Sequence, residues 1–120
     1  MPNKQPDRIE LLQGTLDMLI LRTLVFGRAH GHQIAKHIQA TTDDLLQVEH
    51  GSLYPALHRL ERKGWIAAKW EPAAKDLKRE FKYYRLTAAG KKQLTAEESK
   101  WKQMTAAIAR IMWPETEPEA

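Results

Sequence analysis

The stretch GSLYPALHRLERKGWI, residues 51–66, places His58, Arg59, Arg62 and Lys63 close together among regularly spaced leucines. Guanidinium, ammonium and imidazole groups share one chemistry, donation to anionic or carbonyl acceptors. An arginine can grip guanine O6 and N7, or a phosphate, with two parallel bonds. Ser52 and Tyr54 at the head of the stretch add hydroxyl donors suited to phosphate oxygens. At about 100° per residue, Leu53, Leu57 and Leu60 share one side of a helix, while Pro55, His58, Arg59 and Arg62 fall opposite and Ser52 and Lys63 flank them. The stretch therefore predicts a short amphipathic helix over about 52–63, capped by Ser52. Pro55 falls in its first turn, where a missing N–H removes no bond, and Gly64 lies just past its end. Tyr54 sits at the edge of the apolar face, where packing and contact are both open to it.

Other chemistries lack their residue patterns. Five histidines, at 30, 32, 37, 50 and 58, could in principle ligate a metal. No HExxH, no i, i+4 histidine pair with a third carboxylate, no glycine-rich phosphate loop and no nucleophile with a matching base accompanies them. No catalytic residue, metal site or cofactor is expected. With no cysteine, disulfide staples and thiolate sites are excluded, and a reducing, cytoplasmic setting fits. The N-terminus lacks a signal-peptide pattern, and the longest strongly apolar run, residues 18–21, is far short of the ~20 residues a membrane span needs.

Formal net charge is +4 over 120 residues, a length suited to one domain. The charge is unevenly placed. Residues 58–92 hold eleven Lys or Arg against four Asp or Glu, a net +7, and the remainder of the chain is −3. Concentrated positive charge is the footprint of a surface for a polyanion, with a merely solvated basic face as the alternative.

Elements that could position the basic helix lie on both sides of it. LLQGTLDMLILRTL, residues 11–24, is apolar at 12, 16, 19, 20 and 24, a helical period with Gly14-Thr15 as its cap. A second, shorter helix is predicted over 32–38 through Ile34, Ala35 and Ile38. Leu45, Leu46 and Val48 form an apolar patch that reads equally as a short strand or a helical turn. Beyond Gly64, WIAAKW (65–70) and EFKYYRL (80–86) read as antiparallel strands, with Trp65, Trp70, Tyr83 and Tyr84 as sheet and core residues. The loop joining them, about 71–80, carries Lys75, Lys78 and Arg79. Three helices followed by a hairpin with a basic tip form the pattern of a winged helix-turn-helix over 9–86. The fold class is mainly α with a small β-hairpin.

Thr87 caps a final helix over 87–113 that Pro114 stops. With Leu94, Trp101 and Ile108 at heptad a positions and Glu97, Met104 and Ile111 at d, five of the six seam residues are apolar. Such a stripe outruns a small domain, so Leu94, Trp101, Met104, Ile108 and Ile111 are expected to hold a homodimer. The competing expectation is a fold-back onto the first helix of the same chain. Flexible residues are expected at 1–8 and in the acidic tail 114–120, PETEPEA.

LLQGTLDMLILRTL, HGHQIAKHI, GSLYPALHRLERKGWI and KYYRLTAAGKKQL in succession resemble the PadR family of bacterial transcriptional regulators, over residues 11–113. Having one C-terminal helix, the chain resembles the shorter PadR subfamily. It departs from the pattern at His32, where many members carry tyrosine. The resemblance implies a homodimeric repressor of double-stranded DNA. Its third helix would enter the major groove of an inverted-repeat operator, and its wing would reach toward the backbone or minor groove. It also implies response to small, often aromatic, effectors, for which Trp101 on the seam is the candidate ligand residue. A protein-interaction module built on the long helix is the alternative, and it would leave the basic face idle.

Overall fold

The computed structural model describes residues 9–73, 75–116 and 118. The tail expected over 1–8 lies outside the described residues, as do 117, 119 and 120 of the acidic tail. In chain order the elements are β1 (Ile9–Glu10), α1 (Gln13–Thr23), a 3-10 turn (Leu24–Phe26), β2 (Ala29–His30), α2 (Gly31–Thr41), β3 (Leu46–Gln47), α3 (His50–Arg62), β4 (Ile66–Pro72), β5 (Glu80–Leu86) and α4 (Ala88–Met112). The fold is mainly helical with a small antiparallel sheet, a winged-helix architecture.

Leu16, Ile20, Leu21 and Leu24 of the first helical segment, Ile34, Ala35 and Ile38 of α2, and Leu53, Ala56, Leu57 and Leu60 of α3 meet in one core, closed by Ile66 and Tyr84 of the sheet. Each set recurs at three- and four-residue steps, so each helix turns one apolar stripe inward. Strands β4 and β5 pair antiparallel from Ile66↔Leu86 out to Pro72↔Glu80. The hairpin gains a third strand unseen in the sequence, because β2 pairs with β5 through Ala29↔Tyr84 and His30↔Tyr83. Two residues carry too little pattern to read as a strand. The apolar patch at 45–48 resolves as the strand β3, parallel to β1.

Three expected helix starts shift. Helix α1 begins at Gln13, behind Leu12 as N-cap and without a side-chain cap, so Gly14 and Thr15 lie inside its first turn. Helix α2 begins at Gly31, because His30 makes a capping box: its Nδ1 accepts from the Gln33 N–H at 3.4 Å and its own N–H donates to Gln33 Oε1 at 3.0 Å. Helix α3 begins two residues before Ser52, with the Glu49 carbonyl accepting from the N–H groups of Ser52 (3.0 Å) and Leu53 (2.8 Å). Ser52 is therefore not a cap, and Pro55 lies in the second turn, where its ring withholds the N–H that Gly51 O would accept. Gly51 and Pro55 are both exposed.

The end of α3 follows its expected form. Gly64 adopts φ 76°, the Trp65 N–H donates to Leu60 O and the Gly64 N–H to Glu61 O, both at 3.0 Å, which is a Schellman closure. That closure aims the chain into β4. It also seats α4: the Thr87 hydroxyl donates to Gly64 O at 2.6 Å and accepts from the Gly90 N–H at 3.0 Å, while the Thr87 N–H donates to Trp65 O at 3.1 Å. A Cβ on Gly90 would overlap the Trp65 carbonyl. Beyond this root α4 leaves the body. The Cα radius of gyration is 17.6 Å, against ~14 Å for a globular chain of this length.

Candidate nucleic-acid interface

With Leu53, Ala56, Leu57 and Leu60 turned into the core, α3 presents Gly51, Pro55, His58 and Arg62 as one exposed stripe, with Ser52, Tyr54 and Lys63 also exposed. On a helix packed along its apolar side, the stripe is a narrow ridge with small residues at its head and the His58 and Arg62 donors toward its end, a shape a major groove admits. Tyr54 packs at the edge of the core while keeping an exposed side. It is half-exposed, yet its ring lies where a Cβ on Gly31 would meet it at 2.9 Å. The absent side chain at Gly31 thus lets α2 and α3 approach.

Arg59 does not join the stripe. It is turned toward α1, where its Nη2 lies 2.9 Å from Asp17 Oδ1, and its buried Nε has no partner among the described residues. The expectation of a free Arg59 is corrected by the position of α1: residue 59 lies about 100° beyond His58, on the flank that α1 covers. Burial pushes the Asp17 carboxyl above its usual range, outweighing the Arg59 guanidinium beside it. The signal for this pair was an aspartate set among Leu16, Met18, Leu19 and Ile20, an acid on an apolar helix that needs a cation.

The hairpin is braced against this helix. Lys82 Nζ of β5 lies 3.2 Å from Glu61 Oε1 of α3. Burial disfavours the Lys82 ammonium, but the Glu61 and Tyr84 groups more than compensate, so its pKa lies above the ordinary lysine value. Glu71 bridges Arg28 at 2.9 Å and Arg85 at 3.2 Å, and Arg28 lies 4.0 Å over the Tyr83 ring. At the tip, Lys75, Lys78 and Arg79 are all exposed, and the Arg79 guanidinium lies 5.3 Å over the Phe81 ring. A cleft of about 760 Å³ runs between the N-terminus of α2, the outer face of α3 and the wing, lined by Tyr54, His58, Trp70 and Lys82 among others. His32 also lines it.

The expected assembly seam divides. Leu94 belongs to the chain's own core, 7% exposed, because the first turns of α4 pack on the body beside α1. It is thereby removed from the seam. Trp101, Met104 and Ile108 are exposed and Ile111 is 80% exposed, with Met112 and Trp113 continuing the apolar surface. Trp101 and Met104 also face Leu12 and Met18 across a groove of about 440 Å³ between α4 and α1. Among the described residues no helix is long and apolar enough to cross a membrane, and no three His, Asp or Glu side chains could share a metal.

Comparisons with known proteins bear on this arrangement. The family model of the transcriptional regulator PadR-like family matches residues 20–96. A protein of uncharacterised function from Lysinibacillus sphaericus is 31% identical over 105 residues, spanning 88% of this chain and 94% of its own. A transcriptional regulator from Clostridium thermocellum superposes with a TM-score of 0.74 at 31% identity, covering 82% of this chain and 93% of that one. A PadR family transcriptional regulator from Eggerthella lenta gives 0.70 at 30% identity, covering 88% and 86%. The PadR-like family is one of transcription regulators and not of enzymes. The model match spans the sheet, the basic helix and the root of α4, and the chain accordingly belongs to the PadR-like family of DNA-binding transcriptional regulators.

Proposed function

We propose that the chain is a cytoplasmic, sequence-specific repressor that binds an inverted-repeat operator as a homodimer. Residues 9–86 act as the DNA-binding unit and 87–113 as the assembly helix. One observation carries the reading: the exposed stripe Gly51, Pro55, His58 and Arg62 on a braced α3, beside a wing tip bearing Lys75 and Lys78. Arg62 and His58 read base edges in the major groove. Ser52, Tyr54 and Lys63 hold phosphates, and so do the wing lysines. Arg59, engaged by Asp17, acts as a brace between α1 and α3 rather than as a reader.

Two-fold pairing through Trp101, Met104, Ile108 and Ile111 sets two copies of α3 about one helical turn of DNA apart, ~10 bp. A small aromatic effector seated beside Trp101 in the groove between α1 and α4 would act on the spacing of the two reading helices. Selection of bound duplexes from a random pool, followed by affinity measurement at several salt concentrations, tests the whole reading. An enriched inverted repeat with steeply salt-dependent binding is expected, and recovery of no preferred sequence would refute it.

A further inference from the structure

The wing tip is a built turn with an apolar corner. Ala73, 7% exposed, anchors one side and its N–H donates to Arg79 O at 2.7 Å. Within that closure the Arg79 N–H donates to Asp76 O at 3.0 Å, which makes Asp76–Leu77–Lys78–Arg79 a β-turn with Leu77 and Lys78 at its two corners. The Asp76 carboxylate accepts from the Lys78 N–H at 3.0 Å and fixes the turn from inside. Leu77 is consequently held outward at 78% exposure.

A leucine there does nothing for the fold. It lies outside the core cluster, and turn corners favour proline and small polar residues. Its neighbours are the exposed lysines Lys75 and Lys78, which pair with no carboxylate among the described residues, and the Lys82–Glu61 pair ties the hairpin that carries it to the outer face of α3. An isolated exposed leucine needs no explanation on an ordinary surface. An ordered one at the corner of a cationic tip, beside a helix that faces DNA, is shaped for one occupant. The minor groove, about 6 Å wide, excludes a helix but admits a single turn corner. Its sugar walls are apolar and its rims are phosphates, which matches an apolar corner between two lysines.

We propose that Leu77 enters the minor groove beside the helix-α3 site and makes an apolar contact with its walls, with Lys75 and Lys78 on the flanking phosphates. The inference rests on the DNA-binding reading above. Its signature is thermodynamic. An apolar contact releases no counterions, so removing it weakens binding without changing the salt slope, whereas removing a phosphate contact lowers the slope.

The test uses the full chain and a selected duplex with A·T pairs under the wing, titrated across salt for the unmodified protein, Leu77→Ser, Leu77→Met and Lys78→Ala. Leu77→Ser is expected to bind roughly tenfold more weakly with an unchanged slope, by the burial of one leucine side chain, and Leu77→Met to retain affinity. Lys78→Ala is expected to lower the slope. Replacing adenine by 2,6-diaminopurine under the wing adds an amino group to the minor groove only, and should weaken the unmodified protein to the level of Leu77→Ser while leaving that variant unaffected. Unchanged affinity in Leu77→Ser, a slope that falls with it, or insensitivity to the added amino group each overturns the inference while the DNA-binding reading stands. A change in oligomeric mass on Leu77→Ser would assign the residue to contact between copies and overturn it too. Absence of any DNA binding by the unmodified chain defeats the DNA-binding reading and this inference together.

Discussion

The outer face of α3 and the distal half of α4 are both exposed, but for opposite reasons. The first presents Arg62, His58 and Lys63, groups that water solvates well, on a helix buried along its apolar side. The second presents Trp101, Met104, Ile108 and Ile111, groups that water solvates badly, on a helix that has left the core after Leu94. A solvated cation needs no partner to be stable, whereas an apolar stripe of this length does. Exposure alone is thus a poor guide to an interface, and the chemistry of what is exposed decides which partner each surface suits.

The comparison breaks most sharply at α4. Trp101→Glu or Ile108→Glu, on exposed positions, should leave the monomer fold intact while light scattering shows the dimer mass halved. Operator affinity should then fall by two orders of magnitude or more, since each half-site must bind without its tethered neighbour. A dimer that survives both substitutions would place the assembly surface elsewhere.

The root of the same helix answers to the opposite rule. Exchanging an ordinary mid-helix glycine for alanine stabilises by about 1 kcal/mol. Gly90→Ala should instead destabilise by about 2 kcal/mol or more, because the added methyl must displace the Trp65 carbonyl that receives the Thr87 N–H. Chemical denaturation gives the sign directly. A raised midpoint would mean that the root is loosely seated.

Two arginines three residues apart sharpen the reading of α3. Arg62→Ala should reduce operator affinity by about 1–3 kcal/mol, with much less effect on random duplexes and little on stability. Arg59→Ala should do the reverse, lowering stability by about 1–2 kcal/mol, because it leaves the part-buried Asp17 carboxylate without its cation. Denaturation of Arg59→Ala, Asp17→Asn and the double variant would show coupling between them. Additive losses would show that the pair is incidental.

Much of this architecture was legible from period and punctuation. Leu53, Leu57 and Leu60 place α3, Gly64 ends it and Thr87 starts α4, because each of these signals acts within one turn of chain. Starts set by tertiary contacts were not legible. Ser52 reads as a cap until the course of the chain from β3 lets Glu49 take that place, and two-residue strands such as β2 exist only through their pairing with β5. The wheel put Arg59 on the free side because it counts angles and not neighbours. Only the position of α1 shows which edge of that side is covered. Leu94 failed for the same reason, as a heptad register assigns a seam without saying where the body of the domain ends.

The smallest effect tests how the rim of the cleft is held. The N-terminus of α2 depends on a lone pair, since His30 Nδ1 accepts from the Gln33 N–H, and only the neutral ring offers one. Burial, with His32 beside it, lowers the His30 pKa below the ordinary 6.5. For a base whose folded pKa is depressed, folding favours the neutral form. The stabilisation is therefore complete above about the unfolded value of 6.5, and it falls as the pH drops through that value toward the lower folded one. The loss should not exceed that of a helix cap, about 1 kcal/mol. His30→Asn keeps a good N-cap without a titrating group, so its stability should match the unmodified chain near pH 8 and lose less than it between pH 7 and pH 5. Thermal melts of both proteins across that interval measure the difference. Parallel curves would show that the imidazole does not act through the cap, and would leave its stacking on Phe81, 4.6 Å between ring centres, and the β2–β5 pairing as what holds this edge of α2 to the wing.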